Sequence, residues 1–583
     1  MSRKHKTPSR APLHTRVHAV ALAAAAAAAF LASEPALAGT VSFRVTELAT
    51  PATGYAPHSI ALDINNKGQV VGYVATGDET TRRAALWDGA TGQVQLLNFD
   101  SSARFSEAHA INDAGQIVGW HDLAAGGFET RGALWNAANG SLSALADNGR
   151  LGSRPVDVNN DGLIVGSVIA GNGYQHAAVW RNGQLTDLGA TTLRGDAFSS
   201  AAGVNNWGEI VGFGTVLGPT SGHTPLTWSG YDNSPFRVYG SYGGTAINDL
   251  GQVLSTDTVG DFADHRIVPI VINNGQVTRL LADDTEGWFT KINNAGQAVG
   301  TVNYDGAWLW SASGGALSIN TRLQAGSPGV TWLSSINELG QMTAYTSNHK
   351  AAVLTPTGTL NWTGPSGGFF NDAASWDSGL GLSPNRFLDT AISSPAGEHD
   401  IIGVSYELEI KSLTVGGGAG TSRLVLIEGG RIHALEGTRL LPRGWLTVAA
   451  GSDAVFATGR LGGKLQMGAG SGIALHAGRP EDGSFDRLII DGDFQIDGGT
   501  FWLSMIGAPA PQLGDSYDFM DWLSVSGRFD ELVLPALSAG LSWDTSRLYI
   551  DGVLSVTAVP EPGSWALWLG GGVALARRLR RRD

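Results

Sequence analysis

The chain has 583 residues, too long for one hydrophobic core, and about 150 residues per domain predicts two to four units. With 81 Gly and only 15% charged residues it is turn-rich, which excludes a helical bundle, while 43% hydrophobic residues exclude global disorder. The absence of cysteine excludes a disulfide framework and a thiolate metal site, and a net charge of −14 excludes the basic footprint that nucleic acid requires.

Residues 1–38 read as an export signal. A basic start (Arg3, Lys4, Lys6, Arg10, Arg16) precedes the apolar run VALAAAAAAAFLA, and Ala-Leu-Ala at 36–38 supplies a small-residue cleavage site before Gly39. Removing the +4 of this segment and the +3 of residues 561–583 takes the net charge from −14 to −21.

From 39 to 360 one unit recurs seven times. INNKGQVVGYV at 64–74 returns as INDAGQIVGW, VNNDGLIVGS, VNNWGEIVGF, INDLGQVLST, INNAGQAVGT and INELGQMTAY. The asparagines Asn65, Asn112, Asn159, Asn205, Asn248, Asn293 and Asn337 are spaced 47, 47, 46, 43, 45 and 44 residues apart. Each Asn can bond its own backbone two residues on, and the Gly three later supplies a left-handed turn position, so each copy contains a tight hairpin. A further strand follows, ending in Trp87, Trp135, Trp180, Trp228 or Trp310, then a Gly turn and a last strand. Four short strands per 45 or so residues predict a seven-bladed β-propeller. The opening VSFRVTEL at 41–48 reads as a displaced last strand, expected to close the seventh blade beside residues 351–354; an open solenoid of the same repeats is the alternative. The fifth and seventh copies lack the Trp, which favours blade packing over ligand binding for this position. The copies resemble the bacterial extracellular HAF repeat, with HAAVW at 176–180 nearest and Arg131, His223, His265 and His349 in related places. That resemblance implies an extracellular setting and brings no activity with it.

Residues 361–558 change texture. Trp362, Trp376, Pro384 and Asp389 resemble the opening of passenger-like β-rich regions of surface proteins. Short alternating strands broken by Gly then predict a parallel β-solenoid with rungs of 18 to 22 residues. The stretch from Gly514 onward is expected to form either last rungs or a small sandwich.

Sites of chemistry are scarce. GRLGGKLQ at 459–466 lacks the spacing and the hydroxyl of a phosphate loop and reads as a turn. Asp157, Asn159, Asp161 and Gly162 resemble half of a calcium loop, but Val168 stands where a bidentate Glu is needed, so a hairpin is favoured. No nucleophile elbow or His-Glu-x-x-His occurs, leaving catalytic, cofactor-binding and metal sites all unassigned and no cofactor expected. Trp207, at a hairpin tip, and Trp120-His121 are the aromatic candidates for sugar stacking, with packing between blades favoured.

The tail, 559–583, joins Val559-Pro560-Glu561-Pro562 to an apolar stretch, Trp565 to Ala576, and then to Arg577, Arg578, Arg580, Arg581 and Arg582. Twelve residues fall short of the about 20 that a spanning helix wants. The arrangement resembles a PEP-CTERM sorting signal, with an ordinary anchor left in place as the alternative. The resemblance implies a Gram-negative host, Sec export, transient retention in the inner membrane by a short transmembrane segment, and processing by exosortase near Pro-Glu-Pro. It also implies a link to exopolysaccharide and biofilm. The expectation is therefore an exported, non-enzymatic cell-surface or extracellular-matrix protein, possible partners being the export machinery, exosortase and polysaccharide, with no nucleic acid. A secreted glycan-active enzyme with its acid and base in the propeller's central pocket is the alternative, which carboxylates converging on one propeller face would favour.

Overall fold

The computed structural model describes residues 41–559 apart from short segments at 77–80, 100–102, 123–129, 151, 190–197, 216–222, 230–235, 238–241, 261–265, 304–305, 451–455, 481–482 and 508–509. The export signal and the tail beyond Val559 lie outside the described residues. Among the described residues no helix is long and apolar enough to cross a membrane.

Seven four-stranded antiparallel sheets follow one another, and each is a blade of a β-propeller. The ring closes as the sequence predicts: Ser42–Glu47 is the outer strand of blade 7 and pairs antiparallel with Ala351–Thr357, Val45 opposite Leu354 and Glu47 opposite Ala352. Phe43, fully buried, fixes this strand in the core. Because the blades are meanders, the Asn hairpins and the turns between third and fourth strands share one face of the propeller. The longer loops and the connections between blades share the other.

Two backbone devices explain the motif. Gly68 and its equivalents take φ near +77°, the left-handed position of the hairpin. Four residues on, Gly72 meets the innermost strand so closely that a Cβ would lie 1.9 Å from Ile60 O, and Gly119 repeats this against Glu107 O. The cause is a β-bulge in the innermost strand, between Ala61 and Asp63 in blade 1 and between Ala108 and Ala110 in blade 2. The extra residue, Leu62 or His109, is turned onto the wall of the central channel.

Trp87, Trp135, Trp180 and Trp228 are at most 1% exposed, and the first three donate their indole N–H to Ala49 O, Asn98 O and Ala146 O of the preceding connection at 2.6–2.7 Å. They are core residues, while Trp310, the fifth such Trp, is only partly buried. Between blades, buried serines do similar work: Ser59, Ser106, Ser153 and Ser199 accept the third-strand N–H of Ala351, Ala84, Gly132 and Ala177.

After blade 7 the chain winds into a parallel β-solenoid with three strands per turn. One ladder runs through Asp389–Ile392, Ser412–Val415, Thr438–Leu440 and Leu465–Gly468. A second runs through Glu398–Ile402, Thr421–Ile427, Gly444–Ala449, Gly472–Ala477, Thr500–Met505 and Glu531–Val533. The third contains Glu407–Ile410, Arg431–Ala434, Thr458–Gly462 and the long Arg487–Asp497. The rungs are longer than the expected 18 to 22 residues: Asp389 pairs with Ser412, and Leu465 with Phe494. A third strand and its corner lengthen each turn, and alternation along one strand carries no record of how many strands complete a circuit.

Both ends of the solenoid are sealed. Trp362, Trp376 and Phe370 close the first turn edge to face, with centroids 5.2–5.3 Å apart. At the other end Ser516–Asp518, Leu541–Asp544 and Val553–Ala558 form a small antiparallel sheet after the last rungs, so rungs and a separate sheet both occur and no sandwich does among the described residues. The solenoid docks on the hairpin face of blades 6 and 7, where Gln297 Nε2 donates to Leu380 O at 2.7 Å and Asn385 Nδ2 to Leu339 O at 3.3 Å.

Phe43→Ala removes a fully buried ring from the closing strand and should lower stability by about 3–5 kcal/mol. Chemical denaturation followed by Trp fluorescence measures it. A loss under 1 kcal/mol would mean that the closing strand does not hold the ring together.

Candidate functional site

The innermost strands enclose a central channel with a cavity of about 250 Å³. Its mouth on the hairpin face is built from the seven repeat asparagines, each at most 5% exposed. Asn65 Nδ2 donates to Asn112 O, Asn112 to Asn159 O, Asn159 to Asn205 O, Asn205 to Asn248 O, Asn248 to Asn293 O, Asn293 to Asn337 O, and Asn337 back to Asn65 O, all at 2.8–3.1 Å. The hydrogen bonds form a closed circle. Each Asn also serves its own turn: Asn205 Oδ1 accepts from Trp207 N and Glu209 N, and its second amide hydrogen goes to Glu209 Oε2. Such a side chain has no capacity left for a ligand.

A second circle lies one residue further on. The backbone N–H of Asn66, Asp113, Asn160, Asn206, Asp249, Asn294 and Glu338 each donates to the side-chain oxygen of the next member, at 2.7–2.9 Å, and Glu338 N returns to Asn66 Oδ1. Asp113 Oδ2 accepts amide N–H from both Asn66 and Asn160, and Asp249 Oδ2 from both Asn206 and Asn294. Three carboxylates thus converge on one face, interleaved with four amides making the same bond. Glu338 differs. Enclosure by the channel mouth, with the Asp249 and Asp113 carboxylates nearby, pushes its pKa up to about 7 although its tip is exposed.

Deeper in the channel, Lys291 of blade 6 reaches Asp157 of blade 3 at 3.3 Å and Asp63 of blade 1 at 3.9 Å. Asp63 also accepts from Ser335 Oγ at 2.6 Å and Ile111 N at 3.0 Å, and Asp157 from Val204 N at 3.0 Å. Burial pushes the Asp63 carboxyl up and would lower Lys291, but the two aspartates outweigh it and hold Lys291 above its ordinary range. This triad ties three blades across the axis. Asp157 is therefore committed to the channel and Asn159 to its turn through Asp161 N and Leu163 N, so the segment that resembles a calcium loop is a hairpin.

Toward the loop face, blades 1 to 3 bring together charged and aromatic groups. Arg82 pairs with buried Glu107 at 2.6 Å and lies over the Tyr73 ring. Burial opposes the Glu107 charge, yet the nearby His109 and the hydrogen bond from Arg82 hold its pKa below the usual carboxylate value. Trp120 Nε1 donates to His109 Nε2 at 2.9 Å, and Arg154 covers the Trp120 ring. His121 is buried, with Nδ1 3.0 Å from Asp122 O. Trp207 behaves otherwise: it is 72% exposed at its hairpin tip and donates its indole N–H to Asp249 O of the next blade.

Of the other positions singled out in the sequence, Arg131 lies 3.7 Å from Asp147, and His349, at φ +62°, stacks near His58. His265 lies outside the described residues, as do Pro560, Glu561, Pro562, Arg577, Arg578, Arg580, Arg581 and Arg582. Val559 is half exposed and bonds through its N–H to Gly540 O. Among the described residues no cluster of His, Asp or Glu could hold a metal ion. The second circle, the Lys291 triad and Glu338 were missed in the sequence. The signal for the circle was there, since the residue after every repeat Asn is an amide or an acid.

Asn205→Ala strands buried partners on both sides of a blade junction and should cost about 2 kcal/mol or more. Asn205→Asp restores the turn acceptor but sets a carboxylate against Asn248 O, so it should destabilise as well; thermal unfolding of both variants checks this, and unchanged melting in both would make the circle dispensable. Glu338→Gln tests the raised carboxyl. Between pH 4.5 and about 7 the folded chain holds a proton that the unfolded chain has lost, so this group's contribution to stability falls as pH rises through that window and is level above it. The variant should therefore gain most over wild type at pH 8 and least at pH 4.5, read as melting temperature against pH.

No protein-family model matches the chain, and no curated protein does. Among solved structures, the β-propeller domain of the Trilobed protease from Pyrococcus furiosus is similar at 10% identity and a TM-score of 0.37, covering 51% of this chain and 94% of that one. An acylaminoacyl peptidase is similar at 12% identity and a TM-score of 0.35, covering 52% of each chain. An ulvan lyase, a polysaccharide lyase, is similar at 11% identity and a TM-score of 0.29, covering 52% of this chain and 94% of that one.

Proposed function

We propose that the protein is an exported, non-enzymatic cell-surface or matrix protein that binds polysaccharide and is released from transient membrane retention by exosortase processing at Pro560-Glu561-Pro562. The observation that carries the non-enzymatic part is the interchange of acid and amide in the second circle. Asp113, Asp249 and Glu338 stand where other blades place Asn66, Asn160, Asn206 and Asn294, and all accept the same backbone bond. A carboxylate replaceable by an amide holds neighbouring blades together and need not exchange a proton. Export and processing are supported by the two ends of the sequence, which resemble a signal peptide and a PEP-CTERM signal. Within this reading the propeller is a rigid platform and the solenoid an extended surface.

A glycan-active enzyme is the second reading, favoured by the convergence of Asp113, Asp249 and Glu338 on one propeller face and by Glu338 itself, whose pKa near 7 suits a general acid at neutral pH. One experiment separates the two. The purified chain is incubated with the host's own exopolysaccharide, scoring retention on the polymer and release of new reducing ends, beside Glu338→Gln. Retention without release, the same in the variant, is expected. Release that Glu338→Gln abolishes would replace the binding reading with the enzymatic one. In the host, mass spectrometry of the mature C-terminus should find the Arg tail lost in wild type and kept when Pro560-Glu561-Pro562 becomes Ala-Ala-Ala. A tail intact in both would mean a plain anchor.

A further inference from the structure

The solenoid carries two tryptophans whose environment differs from that of the buried blade tryptophans. In its second ladder Leu424, Leu446, Ile473 and Phe501 point inward and are fully buried, so their neighbours face solvent. Register places Arg423, Trp445 and Gly472 in one outward column, and Ala474 and Trp502 in the next. With no side chain on Gly472, the Trp445 indole lies down across it: a Cβ there would sit 2.3 Å from the ring. Trp502 stands at 71° to it, centroids 6.2 Å apart. The result is a shallow L-shaped cradle of two partly buried indoles, floored by glycine and alanine, on rigid parallel strands.

Chemistry selects the occupant. Trp87, Trp135 and Trp180 spend their indole N–H on backbone carbonyls, whereas Trp445 and Trp502 donate to no group among the described residues and remain open to solvent. Each thus offers an apolar face and a free donor side by side, matching the C–H face and hydroxyl edge of a pyranose ring. The basic groups nearby are already paired, and Glu531, beyond Thr500 in the Trp445 column, adds an exposed carboxylate. Arg423 is held by Asp400 at 2.5 Å with Glu398 at 3.8 Å, and His476 by Asp486 at 2.7 Å. A neutral ligand is the complement of such a face, because an anion would have to displace the carboxylates around Arg423. Trp445 and Trp502 sit on strands two apart in the ladder, about 10 Å along the solenoid axis, so a linear chain running along that axis meets both.

We propose that Trp445 and Trp502 form a binding site for a neutral polysaccharide, whose hexose rings stack on the two indoles and accept their N–H groups. This rests on the polysaccharide-binding reading above and places its site on the solenoid, not at Trp207 or Trp120 of the propeller. Affinity electrophoresis of the full-length chain through gels containing hydroxyethylcellulose, polygalacturonate, the host's exopolysaccharide or no polymer tests it. Wild type should be retarded by hydroxyethylcellulose, and Trp445→Ala and Trp502→Ala should each weaken this by about tenfold or more. Gly472→Ala, which keeps both indoles but displaces one, should do the same, while Trp207→Ala on the propeller should change nothing. Far-UV circular dichroism and melting temperature, expected to stay near wild type, confirm that the variants fold. Retardation that survives all three solenoid substitutions would overturn the site and leave polysaccharide binding standing. Retardation by polygalacturonate alone would overturn the neutral ligand, and retardation by neither polymer nor by the host's exopolysaccharide would overturn the underlying reading as well.

Discussion

The propeller depends on one hydrogen bond repeated around a ring, from the side-chain amide of a turn asparagine to the backbone carbonyl of the next turn asparagine. Blades also meet through apolar faces, which are strong but indifferent to angle and register. The asparagine bond is directional, and its donor and acceptor are both buried, so a blade that slips leaves both unsatisfied. Because the circle closes from Asn337 to Asn65, the first and last copies are held by the same geometry as every other pair. The bond and the strand exchange of Ser42–Glu47 together substitute for the disulfides that the chain lacks.

That economy also explains what the channel contains. Seven identical turns would give seven identical side chains at the mouth, yet the second circle tolerates Asn, Asp and Glu because each can accept the one required bond. Variation in charge is therefore free to accumulate there without loss of the fold, and Glu338 is its extreme, a longer acid enclosed beside two others. Inside the channel the same freedom has produced Lys291 between Asp63 and Asp157. A cation flanked by two acids from other blades is favourable only because all three are also bonded or partly hydrated.

The two halves solve the edge problem of β-structure differently. The propeller closes on itself, whereas the solenoid stacks open rungs and must cap them, with Trp362, Trp376 and Phe370 at one end and a small antiparallel sheet at the other. Its flat outer faces remain available, and a face made of regular strands positions side chains more rigidly than loops do. Outward-facing neighbours on it are consequently hard to find in a sequence, since Trp445 and Trp502 are 57 positions apart and meet only when the rungs are counted.

The sequence by itself determined the repeat, the seven asparagine hairpins, the closing strand and the burial of four of the five blade tryptophans, because each follows from local turn chemistry or from strict recurrence at a fixed spacing. The tertiary structure decided the rest. Which residue a bulge turns onto the channel wall and how many strands complete a solenoid turn are set by strand pairing. That Asn65 bonds the next blade as well as its own turn, and that Lys291 meets Asp63 and Asp157, are contacts between residues 40 or more positions apart. No period within one repeat encodes them, since their geometry exists only once the ring has closed.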